Sequence, residues 1–311
     1  MSFAGPVVAI VGPTASGKSS LAERLAATLC SAVVSVDAMQ IYKGMDIGTA
    51  KTPPNHRSVP LYMVDMIDIG QNYSVELFQK DARCCIDKLL AKGCTPILCG
   101  GTGLYLDAVI DEMSFPSGEA NSPARKHYEA IYAEQGAEVL YGSLVKRDPE
   151  GAKLIHPHNV RRIIRALEMC DEGLSYAQEN ASLHKRIPHY DCRMWGIRMD
   201  RTKLYAHIDA RVDAMFAAGL VQEVEHLRAE GLANARTARQ AIGYKEVLRY
   251  LEGDCSFEEA QQNVKSNTRH YAKRQLSWLR RDGRLKWLNY DEIDEDQAAK
   301  LILEDLKGSD I

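Results

Sequence analysis

The stretch Val7–Ser19, VVAIVGPTASGKS, organises the rest of the chain. It opens with five apolar residues, which are typical of a buried strand that ends at Gly12. The pattern G-x-x-x-x-G-K-[ST] follows and is completed by Gly12, Gly17, Lys18 and Ser19. This pattern is the signature of a phosphate-binding loop between a strand and a helix.

The residue types of this loop indicate what it binds. Backbone N–H groups of such a loop close around phosphate oxygens, and Lys18 adds a positive charge. Ser19 offers a hydroxyl to Mg²⁺, and the helix that follows directs its positive end at the anion. That helix is predicted by Leu21, Leu25 and Leu29, which recur every four residues. We therefore predict that a molecule with two or more linked phosphates binds at Gly12, Pro13, Thr14, Ala15, Ser16, Gly17, Lys18 and Ser19.

Strands and helices alternate along the next hundred residues. Further strands are predicted at Ala32–Val36, Leu61–Val64 and Pro96–Cys99. A helix capped by Ser74 precedes the last of these. The alternation predicts an α/β fold, a P-loop NTPase-like parallel sheet with helices on both faces. Such sheets bind ligands at the carboxyl ends of their strands, where Asp37 and Thr102 lie.

The pattern changes after residue 115. The segment FPSGEANSP ends in Ser122–Pro123, a helix cap followed by proline at the first helical position. Only helical patterns follow until a strand at Cys192–Met199. We therefore predict an inserted all-helical domain over 116–190, within a catalytic core made of 1–115 and 191–311. In the core, Ser256 and Glu259 form a capping box for a long helix, and Leu285–Leu288 is a candidate last strand.

Composition places the chain among soluble globular proteins. It has 311 residues, of which 45% are hydrophobic and 26% are charged. No apolar run approaches the roughly 18 residues of a membrane span, and no signal peptide is recognisable. The eight cysteines form no C-x-x-C pair. We expect free thiols, buried at Cys30, Cys85, Cys94 and Cys99, and hence a reducing cytoplasm.

Charge is distributed unevenly along the chain. Between Lys265 and Lys286 there are eight Lys or Arg and one Asp, a local charge of +7 on a chain of net charge −3. Lys265, Arg269 and Lys273 recur every four residues, with Tyr271 and Trp278 as candidate anchors to the core. A second basic helix carries Asn159, Arg161, Arg162 and Arg165. Each face alone is typical of a solvated surface, but together they favour a nucleic-acid partner.

Asp37 and Asp65 each follow a short apolar run. Either carboxylate is a candidate to hold Mg²⁺ through water, to act as a catalytic base or to cap a helix. We interpret Asp65 as structural. Asp37 leads into a polar, glycine-spaced loop instead of a helix, where a carboxylate near bound phosphates can orient a nucleophile or accept its proton.

Five motifs occur in order along the chain. They are GPTASGKS (Gly12–Ser19), SVDAMQIYKGMDIGTAK (Ser35–Lys51), GGTGLY (Gly100–Tyr105), AIGYKE (Ala241–Glu246) and YAKRQLSW (Tyr271–Trp278). Together they closely resemble the motifs of bacterial tRNA dimethylallyltransferases of the MiaA type, over nearly the whole chain. The phosphate loop alone is shared by many unrelated enzymes, whereas the second and fifth motifs are far more specific.

The resemblance implies that dimethylallyl diphosphate, not ATP, occupies the phosphate loop. It also implies transfer of the five-carbon group to N6 of the adenosine just 3′ of a tRNA anticodon, position 37 of the tRNA. Asp37 would orient or deprotonate that amine. Lys18, Arg211 and Ser19 with Mg²⁺ would stabilise the departing diphosphate, and Thr102 would line the channel.

The resemblance further implies which residues meet the RNA. The helical insertion would grip the anticodon stem-loop of the tRNA. The tRNA-binding residues would be Asp37, Ala38, Met39, Gln40, Arg125, Asn159, Val160, Arg161, Arg162, Ile163, Gln240, Ala241, Ile242, Gly243, Tyr244 and Lys245. To these we add Lys273 and Arg274 of the basic last helix as expected tRNA contacts, and we expect the protein to be a monomer. The chain departs from the family at Ala38, where serine is commonest.

Two other classes of function share the strand, loop and helix. A small-molecule or nucleotide kinase would bind ATP in the same loop and turn it over without tRNA. An RNA-binding NTPase switch would bind GTP or ATP tightly and ignore dimethylallyl diphosphate. No base-recognition motif such as N-K-x-D occurs, which argues against the switch.

Overall fold

A parallel sheet of six strands forms the centre of the fold. The computed structural model describes residues 6–116, 122–183 and 185–307. The strands are β1 (Val7–Val11), β2 (Val33–Ser35), β3 (Leu61–Tyr62), β4 (Ile97–Gly100), β5 (Cys192–Arg198) and β6 (Lys286–Asn289). Their order is β3-β2-β4-β1-β5-β6, and every pair is parallel. The predicted α/β fold class is confirmed, including the last strand.

The described part of the chain contains twelve α-helices. They are α1 (Lys18–Thr28), α2 (Val75–Leu90), α3 (Gly103–Ile110), α4 (Pro123–Arg147), α5 (Pro149–Lys153), α6 (Val160–Asp171), α7 (Tyr176–Leu183), α8 (Arg201–Ala217), α9 (Leu220–Ala229), α10 (Tyr244–Leu251), α11 (Phe257–Leu279) and α12 (Glu295–Lys307). Short 3₁₀ turns occupy Pro54–His56, Leu232–Asn234 and Ala238–Gln240.

The side chains of β1 alternate between two hydrophobic cores. Val7, Ala9 and Val11 pack into a core that includes buried residues of α2, α3, α9 and α10. Val8 and Ile10 pack on the other face, with buried residues of α1 and α12. Because successive side chains of a strand point to opposite faces, a wholly apolar strand of this kind requires cover on both sides, as predicted.

The chain divides into two compact units at Asp111 and Pro188. The first unit contains the described residues up to Asp111 and from Pro188 onward, and therefore the whole sheet. The second contains Glu112–Ile187 and, among its described residues, the four helices α4–α7. Its bounds differ from the predicted insertion, 116–190, by four residues at the start and three at the end. Ser122 caps α4 through the Arg125 N–H, and residues 117–121 lie outside the described part.

The third predicted strand is shorter than expected. It ends at Tyr62 because Met63 and Asp65 adopt φ angles of 61° and 55°, which are incompatible with an extended strand. The Asp65 carboxylate instead accepts a hydrogen bond of 2.6 Å from the Lys51 ammonium, whose side chain is only 3% exposed. Asp65 thus neutralises a buried charge, which is a structural role.

All eight cysteines are free thiols. Cys99 is buried as expected, and Cys85 and Cys94 are half-buried. The expectation for Cys30 is wrong: this residue is exposed, because α1 ends just before it and its backbone turns with φ at 48°. No helix in the described ranges is both long and apolar enough to cross a bilayer.

The capping box at the start of α11 makes a measurable contribution to stability. The Ser256 hydroxyl accepts from the Glu259 N–H at 3.1 Å, and the Glu259 carboxylate accepts from the Ser256 N–H at 2.8 Å. We expect Ser256→Ala to lower the free energy of unfolding by about 1 kcal/mol, because one N–H at the helix start loses its acceptor. Denaturant unfolding measures this, with the exposed Ser266→Ala in the same helix as control. Equal stability of both variants would contradict it.

Candidate active site

The phosphate loop lies between β1 and α1, as predicted. Gly17 precedes α1 with φ at 88°, a left-handed conformation that favours glycine. The Lys18 ammonium donates to the Pro13 carbonyl at 3.3 Å. Gly12 has no room for a side chain, because a Cβ there would lie 2.9 Å from the Ser16 hydroxyl. Strand, glycines and helix therefore form the cradle that linked phosphates require.

Asp37 follows β2 and is fixed by the backbone around it. Its Oδ1 accepts from the Met39 N–H at 2.9 Å. The Ala38 N–H donates to the Thr102 hydroxyl at 3.1 Å, which ties this turn to the loop after β4. The Asp37 carboxylate is thus oriented through main-chain groups, so alanine at position 38 does not deprive it of a partner. Thr102 lines the site and also serves as an acceptor.

Charges at the centre of the site influence one another. Desolvation lowers the pKa of the Lys18 ammonium, while Cys99 and Asp37 oppose that effect and Arg211 adds to it. Burial likewise lowers the pKa of Arg211, and Asp37 counteracts this. Burial raises the pKa of the Cys99 thiol to about 11. Two cations and one carboxylate therefore share a poorly solvated space, and the cations are arranged to receive an anion.

Gln275 connects this centre to α11. Its side chain is 5% exposed, accepts from the Thr14 N–H at 2.9 Å and donates to the Gly101 carbonyl at 3.0 Å. Tyr271 lies one turn earlier; burial raises its pKa to about 12, and the nearby Thr102 and Gln275 side chains partly oppose that rise. One glutamine therefore joins the phosphate loop to the loop after β4. Sequence reasoning missed this role.

Two adjoining cavities in the first unit share part of their lining at the centre of the site. The first contains Lys18, Ser19 and Cys99. The second contains side chains and backbone of the predicted RNA-contact segments, namely Ala38, Met39, Gln240, Ala241, Ile242, Gly243 and Arg274, and also Thr102. Both are lined by Thr14, Asp37, Thr49, Arg211 and Tyr271. The two cavities therefore have Asp37 in common.

Tyr244, the tyrosine of the AIGYKE motif, has a different role from the RNA contact expected for it. Tyr244 is fully buried, and its hydroxyl donates to Glu223 at 2.5 Å. Ala241 and Gly243 are also buried, whereas Gln240 is exposed and Lys245 is half-buried. Burial leaves only backbone for an RNA contact at the tyrosine, whose side chain braces the fold. Gln40 is similarly engaged: it accepts from the Ser35 hydroxyl at 2.8 Å and donates to the Thr49 carbonyl at 3.2 Å.

The predicted RNA-binding residues of the second unit divide into two groups. Arg125 forms a bidentate ion pair with the buried Glu168, at 3.0 and 2.6 Å, which uses its guanidinium internally. Asn159 caps α6 through the Arg162 N–H. Ile163 is buried in the core of the unit, so its side chain does not reach an external ligand, whereas Val160 is half-buried and packs against that core. Arg161 and Arg162 are exposed.

The basic row of α11 also divides. Lys265 pairs with Asp213 at 2.6 Å, and the Arg269 guanidinium is bidentate to Asp209, so both are held by α8. These two residues belong to a helix–helix contact, which corrects the expectation of a row free to grip phosphates. Lys273 and Arg274 are exposed. The predicted anchoring role of Trp278 is confirmed: its indole N–H donates to Asp107 at 3.0 Å.

The oxygen donors of the first cavity fit a magnesium ion. Ser19 contributes a hydroxyl and Asp37 a carboxylate to the lining. Mg²⁺ prefers such oxygens and commonly uses only one or two protein ligands, completing its shell with water and substrate phosphates. No cluster of three or more His, Cys, Asp or Glu suited to a metal occurs in residues 6–116, 122–183 and 185–307. Ser19 and Asp37 are therefore of the residue types that a phosphate-bound Mg²⁺ uses.

Comparison with known proteins gives a consistent result. A model of the family described as IPP transferase matches residues 40–282, and a model described as isopentenyl transferase matches residues 5–58. The tRNA dimethylallyltransferase of Thermobifida fusca is 43% identical over 305 residues, covering 96% of this chain and 94% of that protein. The tRNA dimethylallyltransferase of Carboxydothermus hydrogenoformans is 44% identical over 287 residues, 91% of each.

Solved structures show the same relationship. The tRNA isopentenylpyrophosphate transferase of Bacillus halodurans superposes with a TM-score of 0.72 at 38% identity, covering 97% of this chain and 96% of that one. A eukaryotic dimethylallyltransferase acting on tRNA superposes with a TM-score of 0.82 at 27% identity, covering 98% and 80%.

The parallel sheet, the phosphate loop and the two adjoining cavities define a P-loop-type α/β fold. The chain belongs to the IPP transferase family, a family of prenyl-transferring enzymes that act on tRNA.

Proposed function

We propose that the chain transfers the dimethylallyl group of dimethylallyl diphosphate to N6 of the adenosine just 3′ of the anticodon, position 37 of the tRNA, and releases diphosphate. The observation that carries this proposal is the pair of cavities that meet at Asp37. One has the cradle for linked phosphates, and the other is lined by segments that the resemblance assigns to RNA. A reaction between a diphosphate and an RNA base requires such a meeting point.

The anion side stabilises the leaving group. In the reaction the C1–O bond of the allylic diphosphate breaks, and its electron pair leaves with the diphosphate oxygen. Lys18 and Arg211 direct positive charge into the first cavity, where that negative charge develops. Charged donors that are already in position stabilise such a transition state strongly, because little reorganisation is needed.

The Asp37 carboxylate serves the nucleophile. As N6 forms its bond to the allylic carbon, the amine must lose a proton, and Asp37 is the carboxylate among the five residues that line both cavities. A positioned carboxylate orients the amine and accepts that proton. The hydroxyl of Thr102 holds the turn of Asp37 in place. The base must leave its stack to reach this chamber, which costs little in a single-stranded loop.

Mg²⁺ would be held by the Ser19 hydroxyl in the first cavity. When bound, the ion would offset the negative charge of the diphosphate. We expect chelation by EDTA to reduce prenyl transfer by at least about 100-fold, since a bound cation is worth several kcal/mol of charge stabilisation, and added Mg²⁺ to restore it. Residual activity above that level in EDTA would show that Lys18 and Arg211 suffice.

The charged residues that we propose to contact the RNA are those whose side chains are exposed. Arg161 and Arg162 in the second unit, and Lys273 and Arg274 in the first, remain available for phosphate contacts. Binding through such residues is steeply salt-dependent, because each phosphate contact releases counterions. We further propose a cytoplasmic monomer, since all eight cysteines are free thiols and one chain lines both cavities.

The deciding experiment is mass spectrometry of tRNA after incubation with the protein, dimethylallyl diphosphate and Mg²⁺. The expected result is one added five-carbon unit on one adenosine beside the anticodon. Replacing the donor with labelled ATP tests the kinase alternative. Turnover of ATP without tRNA, together with unmodified tRNA in the first reaction, would overturn the proposal.

A further inference from the structure

A single carboxylate, that of Glu223 on α9, holds the turn Asp46–Gly48 of the polar loop after β2. Its Oε2 accepts from the N–H groups of Asp46 at 3.1 Å and Ile47 at 2.7 Å, and its Oε1 accepts from Gly48 at 3.2 Å. The Tyr244 hydroxyl donates to the same Oε1. Four donors converge on one side chain, an arrangement that binds a carboxylate firmly because each hydrogen bond to it is charge-assisted.

The turn is pressed against the ring of Tyr244. A Cβ at Gly48 would lie 2.4 Å from that ring, so only glycine permits this approach. Burial and the Glu223 charge both raise the pKa of Tyr244, which keeps its hydroxyl protonated as a donor. Glu223 therefore fixes the position of the turn through hydrogen bonds, and the ring of Tyr244 packs against it.

The other end of the loop has its own brace. The buried Lys51 ammonium donates to the Tyr42 carbonyl at 2.9 Å and pairs with Asp46 at 2.7 Å and Asp65 at 2.6 Å. Residues 48–50, whose side chains are small or absent, run from Gly48, which Glu223 holds, to the residue before Lys51.

This braced segment is a wall of the reaction chamber. Thr49 lines both cavities where they meet, Ala50 lines the anion side, and Gly48 lines the other side. Asp37 and Arg211 line the same junction. An allylic group whose diphosphate lies in the cradle and whose C1 faces the junction must pass beside this wall.

We propose that Glu223 and Tyr244 are positioning residues that set the size limit of the allylic donor by holding residues 48–50 against the junction. The inference rests on the proposed function for the identity of the donor class. Neither residue touches the reacting atoms, and both act through the backbone of the turn. When residues 48–50 are held rigidly, the pocket admits an allylic chain of limited length. When they are free to move, the pocket can admit a longer chain.

The test compares the binding of two diphosphates by titration calorimetry, which requires no turnover. The probes are dimethylallyl diphosphate and geranyl diphosphate, which is longer by one five-carbon unit. In Glu223→Gln an amide NH₂ replaces one acceptor oxygen and opposes the N–H groups of the turn. We expect the Kd ratio, geranyl over dimethylallyl, to fall at least about tenfold. Tyr244→Phe keeps the ring and removes one donor, so we expect a smaller fall of about threefold.

Two comparisons make the outcome decisive. Glu225→Gln, an exposed change two residues along α9, should leave the ratio unchanged. A merely structural role for Glu223 would weaken both diphosphates equally, and an unchanged ratio in both variants would overturn the inference. Should Glu223→Gln fail to fold, the milder Tyr244→Phe carries the test. If the ratio falls in Glu223→Gln but the wild-type protein modifies no tRNA, the proposed function fails and this inference stands.

Discussion

Asp37→Asn should slow prenyl transfer by at least about 100-fold, the usual scale of general-base contributions. The substitution is matched to the structure, because asparagine keeps an oxygen at the position that accepts from the Met39 N–H. The turn and its link to Thr102 should therefore survive. What disappears is the negative charge and the ability to accept a proton from the adenine amine. Single-turnover transfer with saturating dimethylallyl diphosphate measures the effect.

The Asp37 experiment needs a measurement of tRNA affinity and a matched substitution elsewhere in the same unit. Binding of the tRNA should stay within a few-fold, since one neutralised carboxylate removes no phosphate contact. Asp254→Asn, an exposed change in the same unit, should leave transfer unaffected. Wild-type turnover in Asp37→Asn would remove this residue from the mechanism.

Lys18→Met should lower kcat by about 10²- to 10³-fold, the range found when a charge-stabilising donor is removed from an active site. Methionine keeps most of the side-chain volume and deletes the cation in the first cavity. Affinity for tRNA should be unchanged, which separates this effect from misfolding. Lys88→Met, at an exposed position of α2, is the matched control. Full activity of Lys18→Met would leave Arg211 as the sole stabilising side chain.

Lys18 also predicts a dependence on pH. Desolvation lowers its pKa in the free protein, so the ammonium is lost at a lower pH than for an ordinary lysine. Only the cation stabilises the leaving group, and kcat/KM should therefore fall as the pH rises through the lowered pKa. In Lys18→Arg the guanidinium stays charged, so the fall should move to higher pH. An alkaline limb unchanged in Lys18→Arg would assign it to another group.

The sequence is sufficient for the parts of the fold that follow local rules. The turn of the phosphate loop, the apolar strands other than the shortened β3, and the caps at Ser74, Ser122 and Ser256 are each encoded within a few neighbouring residues, and the structure confirms them. Asp37 was found because a carboxylate after a parallel strand lies at the ligand-binding edge of the sheet.

Residues whose roles depend on distant partners were harder to predict. Lys265 and Arg269 form a basic row in the sequence, but Asp213 and Asp209 of another helix neutralise them. Glu223 resembles any other charge on an amphipathic helix, and nothing nearby in sequence points to the turn 46–48. Gln275 left one signal: it lies on the same helix stripe as the buried Ala272 and Leu279, where an amide must find polar partners.

The Gln275 bridge has a consequence for synthesis of the protein on the ribosome. The phosphate loop is made within the first twenty residues, but the amide that fixes the Thr14 N–H and the Gly101 carbonyl comes more than 250 residues later. One of the two strands that pair with β1 is β5, and it too is translated after the whole second unit. Until α11 has emerged from the ribosome, the first cavity of a nascent chain therefore lacks Gln275. The active site is completed only near the end of translation.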